Sequence, residues 1–287
     1  MSRIVYVNGS YVPEEEAKVS VFDRAFLFGD AIYEVTAVLA GRLVDFEPHL
    51  VRLDRSLQEI ALVAPVSHEA LLAMHLELVR LNSIDEGIVY LEITRGAAER
   101  DFAYPESARP NVVAFTQSRP LIANPYAETG VKVVTVLDLR WKRRDIKSTS
   151  MLAQAMGKQE AKLRGAYEGW MVEDGFVTEG TSSTAFILDA KGVIRTQPLG
   201  HHILPGVTRR AILRLAALEG TPLEERPFSV AEALSAREAF MTAASAFVLP
   251  IVAIDGVPIG DGRPGPVANR FRALYIEEAR NSSVGAR

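Results

Sequence analysis

Strand-like and helix-like runs succeed one another along this chain without a regular strand–helix repeat, and that irregular order constrains the fold more than any other feature. A regular repeat would build a barrel or a doubly wound sheet, so its absence points to an α/β chain with α+β-type domains. Asn8-Gly9 separates two β-rich runs between Val5 and Val12, a hairpin signal because both turn positions tolerate positive φ. Leu50, Leu53, Leu57 and Ile60 recur at helical spacing, and Leu71, Met74, Leu78 and Leu81 mark a second helix. Strand-like runs follow at 88–94 and 112–116. Later come a strand at 131–136, a helix from Thr149 to about Arg164, and hairpins turning at Asp174-Gly175 and Lys191-Gly192. The rest reads as a helix at 208–218, strands within 239–253 and a last helix at 267–279.

Two prolines in the seven residues Arg119 to Pro125 mark a linker. The expected organisation is a small N-terminal α+β domain over 1–118, a linker over 119–125 and a larger C-terminal domain over 126–287. A length of 287 residues suits two domains of ordinary size. A net charge of −4 leaves no general basic footprint, so non-specific nucleic-acid binding is not expected. Nor is a membrane span, because the longest apolar run, 243–254, is interrupted and short. Without a signal-peptide pattern at the start, the cytoplasm is the expected location.

The chain has no cysteine, which excludes disulfides, thiolate metal sites and a cysteine nucleophile. There is no GxxxxGK[ST], no GxGxxG after a strand, no HExxH and no GxSxG. The five histidines, His49, His68, His75, His201 and His202, lack ligand spacing, so no metal is expected. Two residues stand in suggestive settings. Lys147 lies beside Met151, Leu152 and Ala153, where poor solvation would make a neutral amine available as nucleophile or base. Glu179 ends a hairpin strand and precedes small hydroxyl residues. Taken alone, Lys147 is a weak signal, and Glu179 reads first as a solvated strand-end charge.

Together, Asp145-Ile146-Lys147-Ser148, the stretch from Gly165 to Ser183, and Leu204-Pro205-Gly206-Val207-Thr208-Arg209-Arg210 resemble the fold-type IV, or class IV, pyridoxal-phosphate aminotransferases. The segments Gly29–Val35, His49–Leu53 and Glu238–Gly256 fall in the family's order, and the likeness is greatest to its D-amino-acid aminotransferase branch. The resemblance implies pyridoxal 5'-phosphate in a cleft between the domains. Lys147 matches the lysine that anchors the cofactor and shuttles the proton, and Glu179 the carboxylate facing the pyridine nitrogen. Arg52 matches the phosphate arginine, and Val207 and Thr208 open a helix whose N–H groups suit the same phosphate. Leu204 matches the side chain resting on one cofactor face. Ala244 and Ser245 lie in a second phosphate loop, where Ala244 replaces the branch's hydroxyl. Arg140 and Glu168 match an ion pair behind the cofactor. The linker would separate Tyr33, Arg52 and Arg100 from Lys147, Glu179 and Thr208.

Tyr33, Arg100 and Phe102 match the substrate residues of the D-amino-acid branch, with Arg100 binding the α-carboxylate. Phe102 stands where a histidine normally assists, and losing that donor costs about 1–3 kcal/mol of carboxylate binding. The implied reaction is ping-pong transfer between a D-amino acid, such as D-alanine or D-glutamate, and pyruvate or 2-oxoglutarate through Lys147. The apolar Phe102 also admits an (R)-amine:pyruvate aminotransferase. A branched-chain L-amino-acid aminotransferase fits less well, because Leu152 stands where that branch has tyrosine and 32 residues separate Lys147 from Glu179. Aminodeoxychorismate lyase shares the cofactor motif but not the Tyr33 and Arg100 pair. The resemblance also implies a homodimer with its active sites near the interface.

Overall fold

The computed structural model describes residues 2–285. In chain order the elements are β1 (Ile4–Val7), β2 (Ser10–Pro13), α1 (Arg24–Phe28), β3 (Ala31–Leu39), β4 (Arg42–Leu43), α2 (Phe46–Glu59), α3 (His68–Leu81), β5 (Glu86–Thr94) and β6 (Asn111–Ser118). Then follow α4 (Pro125–Thr129), β7 (Val131–Leu137), α5 (Leu152–Leu163), β8 (Glu168–Glu173), β9 (Phe176–Gly180), β10 (Thr184–Leu188), β11 (Ile194–Thr196) and α6 (Val207–Leu218). The chain closes with β12 (Leu223–Glu225), α7 (Val230–Leu234), β13 (Glu238–Ala243), β14 (Phe247–Ile254), β15 (Val257–Pro258) and α8 (Pro266–Ser282).

Two units emerge, one of residues 1–120, 146–150 and 279–287, the other of 121–145 and 151–278. The first carries an antiparallel sheet ordered β2-β1-β6-β5-β3-β4. Its β1–β2 turn has Asn8 and Gly9 at φ 50° and 97°, as the Asn-Gly pair requires. Alternation along the strands splits this sheet into two faces. Ile32, Val89, Leu91, Ile93, Val112 and Ala114 are buried in one cluster with Leu50, Leu53 and Leu57 of α2 and Leu71, Met74 and Leu78 of α3. At roughly 1.5–3 kcal/mol per buried large apolar side chain, this cluster is the main support of the unit. The other face presents Tyr33, Val35, Tyr90, Glu92, Val113 and Phe115, all half-buried.

Residues 146–150 belong to this first unit because they run along β3. Tyr33 N donates to the Lys147 carbonyl (3.0 Å), Thr149 N donates to the Ala31 carbonyl (3.1 Å), and Ser148 bridges Ile32. β5 covers one edge of β3 throughout, and β4 covers the other only at Val38 and Leu39, so the strip occupies the open stretch of that second edge. Ile146 enters the same core cluster. Gly29 is required beside the strip, since a Cβ there would lie 2.5 Å from Ser150 Oγ and its φ is 66°.

The second unit holds a mixed sheet ordered β12-β11-β10-β13-β14-β7-β8-β9, with β15 on β14. β14 is buried along its whole length, which explains its continuous apolar sequence. Trp170, Val177, Met241, Leu249 and Ile251 pack with Phe228 in this unit's core. The Asp174-Gly175 and Lys191-Gly192 turns join β8 to β9 and β10 to β11. The strands read within 239–253 are the β13–β14 hairpin. Among the described residues, no helix is long and apolar enough to cross a membrane.

Candidate active site

Lys147 lies in the 146–150 strip that runs along β3 in the first unit. Its backbone is fixed by the Tyr33 bond and by donation from its N–H to Ser56 Oγ (3.3 Å). Nζ lies 4.0 Å from the centroid of the Tyr33 ring, a cation–π contact of about 0.5–2 kcal/mol. The apolar neighbour of Nζ is therefore an aromatic face on β3. Lys147 and Tyr33 consequently stand together in one unit, because β3 takes the 146–150 strip as an edge partner. Tyr33 stacks on Tyr90 (5.5 Å), and Tyr90 on Phe115 (4.8 Å).

On the helix-facing side of β3, Glu34 binds Arg52 through two bonds of 2.8 Å and His49 Nδ1 at 2.7 Å. Burial would raise the Glu34 carboxyl, but the Arg52 guanidinium and His49 hold it well below the usual range. Arg52 is thus present with its guanidinium plane fixed. Arg100 is exposed and makes no hydrogen bond or ion pair to a described residue; its guanidinium lies 5.5 Å from the rings of Phe28 and Phe102. Phe102 is 79% exposed. The anchor of this loop leaves no mark in the local sequence. Arg24 is bound to Asp30 at 2.8 Å, donates to the Asp101 and Phe102 carbonyls, and shares the Tyr104 ring with Arg95.

In the second unit Glu179 is buried, its carboxylate accepting from Leu204 N at 3.1 and 3.3 Å and from Arg140 Nη1. Burial raises the Glu179 carboxyl, Arg140 and the Leu204 N–H oppose that, and Asp138 adds to it. Leu204 is half-buried and holds Glu179 through its backbone. The expected pairing of Arg140 with Glu168 is not found. Arg140 pairs instead with Glu179 and with Asp138 (2.7 Å). The register explains this: Glu168 lies opposite Val133 on β7, whereas Arg140 follows the far end of that strand. Glu168 takes hydroxyl bonds from Thr181, Ser182 and Ser183 and has Lys158 Nζ at 3.6 Å. Aspartate two residues before Arg140 was the only available clue to the true pairing.

The N-terminus of α6 supplies a different chemistry. Val207 and Thr208 are buried, Gly206 caps the helix without a side-chain bond, and the first-turn N–H groups lack intrahelical partners. The buried hydroxyls of Thr208 and Thr242 have no hydrogen-bond partner. Thr242 is paired in register with Thr184, and a Cβ on Gly206 would come within 2.8 Å of Thr184 Oγ1. Backbone donors, two unsatisfied hydroxyls and a glycine that keeps the surface clear form a cradle suited to a phosphate. Ala244 and Ser245 form the adjacent β13–β14 turn, which closes with Ala246 N donating to the Ala243 carbonyl. Phe247 then takes φ 62°, an unusual value for an aromatic residue, held by full burial and by its contact with Tyr275.

Comparison with known proteins agrees with this chemistry. The family pattern "Amino-transferase class IV" matches residues 31–254. The chain is 38% identical over 283 residues to a D-alanine aminotransferase of Staphylococcus aureus (strain MSSA476), covering 98% of this chain and 99% of that one. It is also 38% identical to a D-alanine aminotransferase of Bacillus licheniformis over 93% and 94% of the two chains. A solved branched-chain aminotransferase of the thermophilic archaeon Thermoproteus uzoniensis, with norvaline, superposes with a TM-score of 0.87 at 27% identity, over 98% of this chain and 96% of that one. The lysine seated on an aromatic face, the buried carboxylate and the phosphate cradle all fall within the matched residues, and this chain belongs to the class IV aminotransferases, transferases that depend on pyridoxal phosphate.

Proposed function

We propose that this protein transfers the amino group of a D-amino acid, such as D-alanine or D-glutamate, to pyruvate or 2-oxoglutarate. The observation that carries the reading is Lys147, the amine whose Nζ lies on the Tyr33 ring at the edge of β3. The named relatives at 38% identity are D-alanine aminotransferases, whereas the branched-chain likeness is one of fold at lower identity. Sequence relatives weigh more for substrate, because one scaffold hosts several specificities.

When bound, pyridoxal phosphate supplies a carbonyl carbon that takes up the amino group and a ring that accepts electrons released at the substrate Cα. Lys147 Nζ would anchor the cofactor and carry the proton from the substrate Cα to C4′ of the cofactor, and in the opposite sense in the second half-reaction. Glu179 would face the ring nitrogen and keep it protonated, and Leu204 would rest on one face of the ring. The α6 cradle, with Val207 and Thr208, receives the phosphate, assisted by Arg52 and by the backbone at Ala244 and Ser245. Arg100 receives the substrate α-carboxylate, with Tyr33 and Phe102 beside it. The Phe28–Phe102 contact gives this loop an aromatic surface, which supports (R)-amines as secondary donors.

This reading expects a homodimer acting in the cytoplasm. Phe22, Phe26 and Phe102 are exposed large apolar side chains, which is compatible with a second copy covering them. A panel of half-reactions tests the function: D-alanine, L-leucine and (R)-1-phenylethylamine are mixed separately with the pyridoxal form, and loss of its visible absorbance is followed. D-alanine is expected to react fastest. Fast reaction of L-leucine without reaction of D-alanine would overturn the stereochemical assignment.

A further inference from the structure

Glu92 has no role in the mechanism above, yet it stands close to it. Tyr33 on β3 and Glu92 on β5 are paired residues of the antiparallel ladder, so their side chains leave the same face as neighbours. That is the face on which Lys147 Nζ meets the Tyr33 ring. Tyr90, two residues before Glu92, stacks on Tyr33 and donates its hydroxyl to Glu92 Oε2 at 2.8 Å. The carboxylate is therefore tethered beside Tyr33. Among the described residues no cation pairs with it: Arg24 and Arg95 are bound to Asp30, and Arg52 to Glu34.

We infer that Glu92 is a specificity-determining residue that selects against substrates carrying a second carboxylate and favours donors and acceptors with neutral side chains. The inference rests on the proposed aminotransferase reading and narrows it, from D-alanine or D-glutamate to the D-alanine type, and from pyruvate or 2-oxoglutarate to pyruvate. An arriving side-chain carboxylate either meets the charge on Glu92 or forces that group to take up a proton. Both outcomes weaken binding, whereas a methyl side chain meets neither. Selection of this kind works by repulsion and needs no added contact to the preferred substrate.

The test compares the wild type with Glu92→Gln, which keeps shape and the Tyr90 bond but removes the charge, and with Glu92→Ala as a second variant. Binding of pyruvate and of 2-oxoglutarate to the pyridoxal form, which cannot transaminate an oxo acid, is measured by titration calorimetry. Glu92→Gln is expected to tighten 2-oxoglutarate about tenfold and to change pyruvate by less than about threefold. The ratio of kcat/KM for D-glutamate over D-alanine is expected to rise by about the same factor. Unchanged or weakened 2-oxoglutarate binding in both variants would overturn the inference. Failure of the wild type to react with D-alanine would instead overturn the function, and the calorimetric comparison would still read the effect of Glu92.

Discussion

Glu179 is a carboxylate under opposed influences: burial and Asp138 favour its neutral form, while Arg140 and the Leu204 N–H favour its charge. Asp138 is itself held low despite burial, by Arg140, by the Thr178 hydroxyl and by Arg144. The pair Asp138–Arg140 thus forms a charged backing for Glu179. Replacing Glu179 by Gln is expected to lower kcat about a hundredfold by removing the anion from the ring nitrogen. The fold should survive, because Arg140 keeps Asp138 as partner. Steady-state turnover and a thermal melt check both halves of this statement, and near-normal turnover in a folded variant would contradict it. As candidates, Lys147 and Glu179 were legible in the sequence because their flanking residues are distinctive as a set. The partner of Arg140 was not legible, because strand register decides it and Glu168 carries no mark of standing opposite Val133.

At the scale of elements, β3 shows how one strand serves two purposes. Its even residues Ile32 and Glu34 face α2 and α3, and its odd residue Tyr33 faces Lys147. The hairpins were legible from Asn8-Gly9 and Asp174-Gly175, since turn chemistry is local. The β13–β14 turn was not, since Phe247 occupies a left-handed position for which its sequence gives no warning. α3 carries a test of its own. His75 is 1% exposed, with Nδ1 bonded to the Leu71 carbonyl at 2.8 Å. Burial pushes its pKa down to about 4, from an ordinary value of 6.5. The folded state therefore holds His75 neutral where the unfolded chain gains a proton. The stabilisation is present above about pH 6.5 and is lost as pH falls toward about 4, at a cost on the order of 3 kcal/mol. Denaturant unfolding across that range should show a smaller loss for His75→Gln than for the wild type. Identical pH profiles would contradict the assignment.

At the scale of the whole molecule, the chain changes unit more often than its prolines suggest. It leaves the first unit after Pro120, returns for residues 146–150 and returns again at Ala279. The first return rests on backbone hydrogen bonds to Ala31 and Tyr33, which leave no trace in composition or periodicity. What the sequence did display was the ordered set of cofactor segments, and the family match from residue 31 to residue 254 spans the same stretch. The surroundings of Tyr33 were less legible, because Glu92 is brought beside it only by the β3–β5 register.

The central claim is that one amine, Lys147 Nζ, moves the substrate proton for a D-amino acid. Its most direct test is a single-turnover reaction of D-alanine with the pyridoxal form of the wild type and of Lys147→Ala, measured by pyruvate release and by solvent exchange of the alanine Cα hydrogen. The wild type should release pyruvate and exchange that hydrogen. The variant should bind cofactor without a covalent bond and lose at least about 10²–10⁴-fold in both rates. Near-normal release and exchange in the variant would contradict the account.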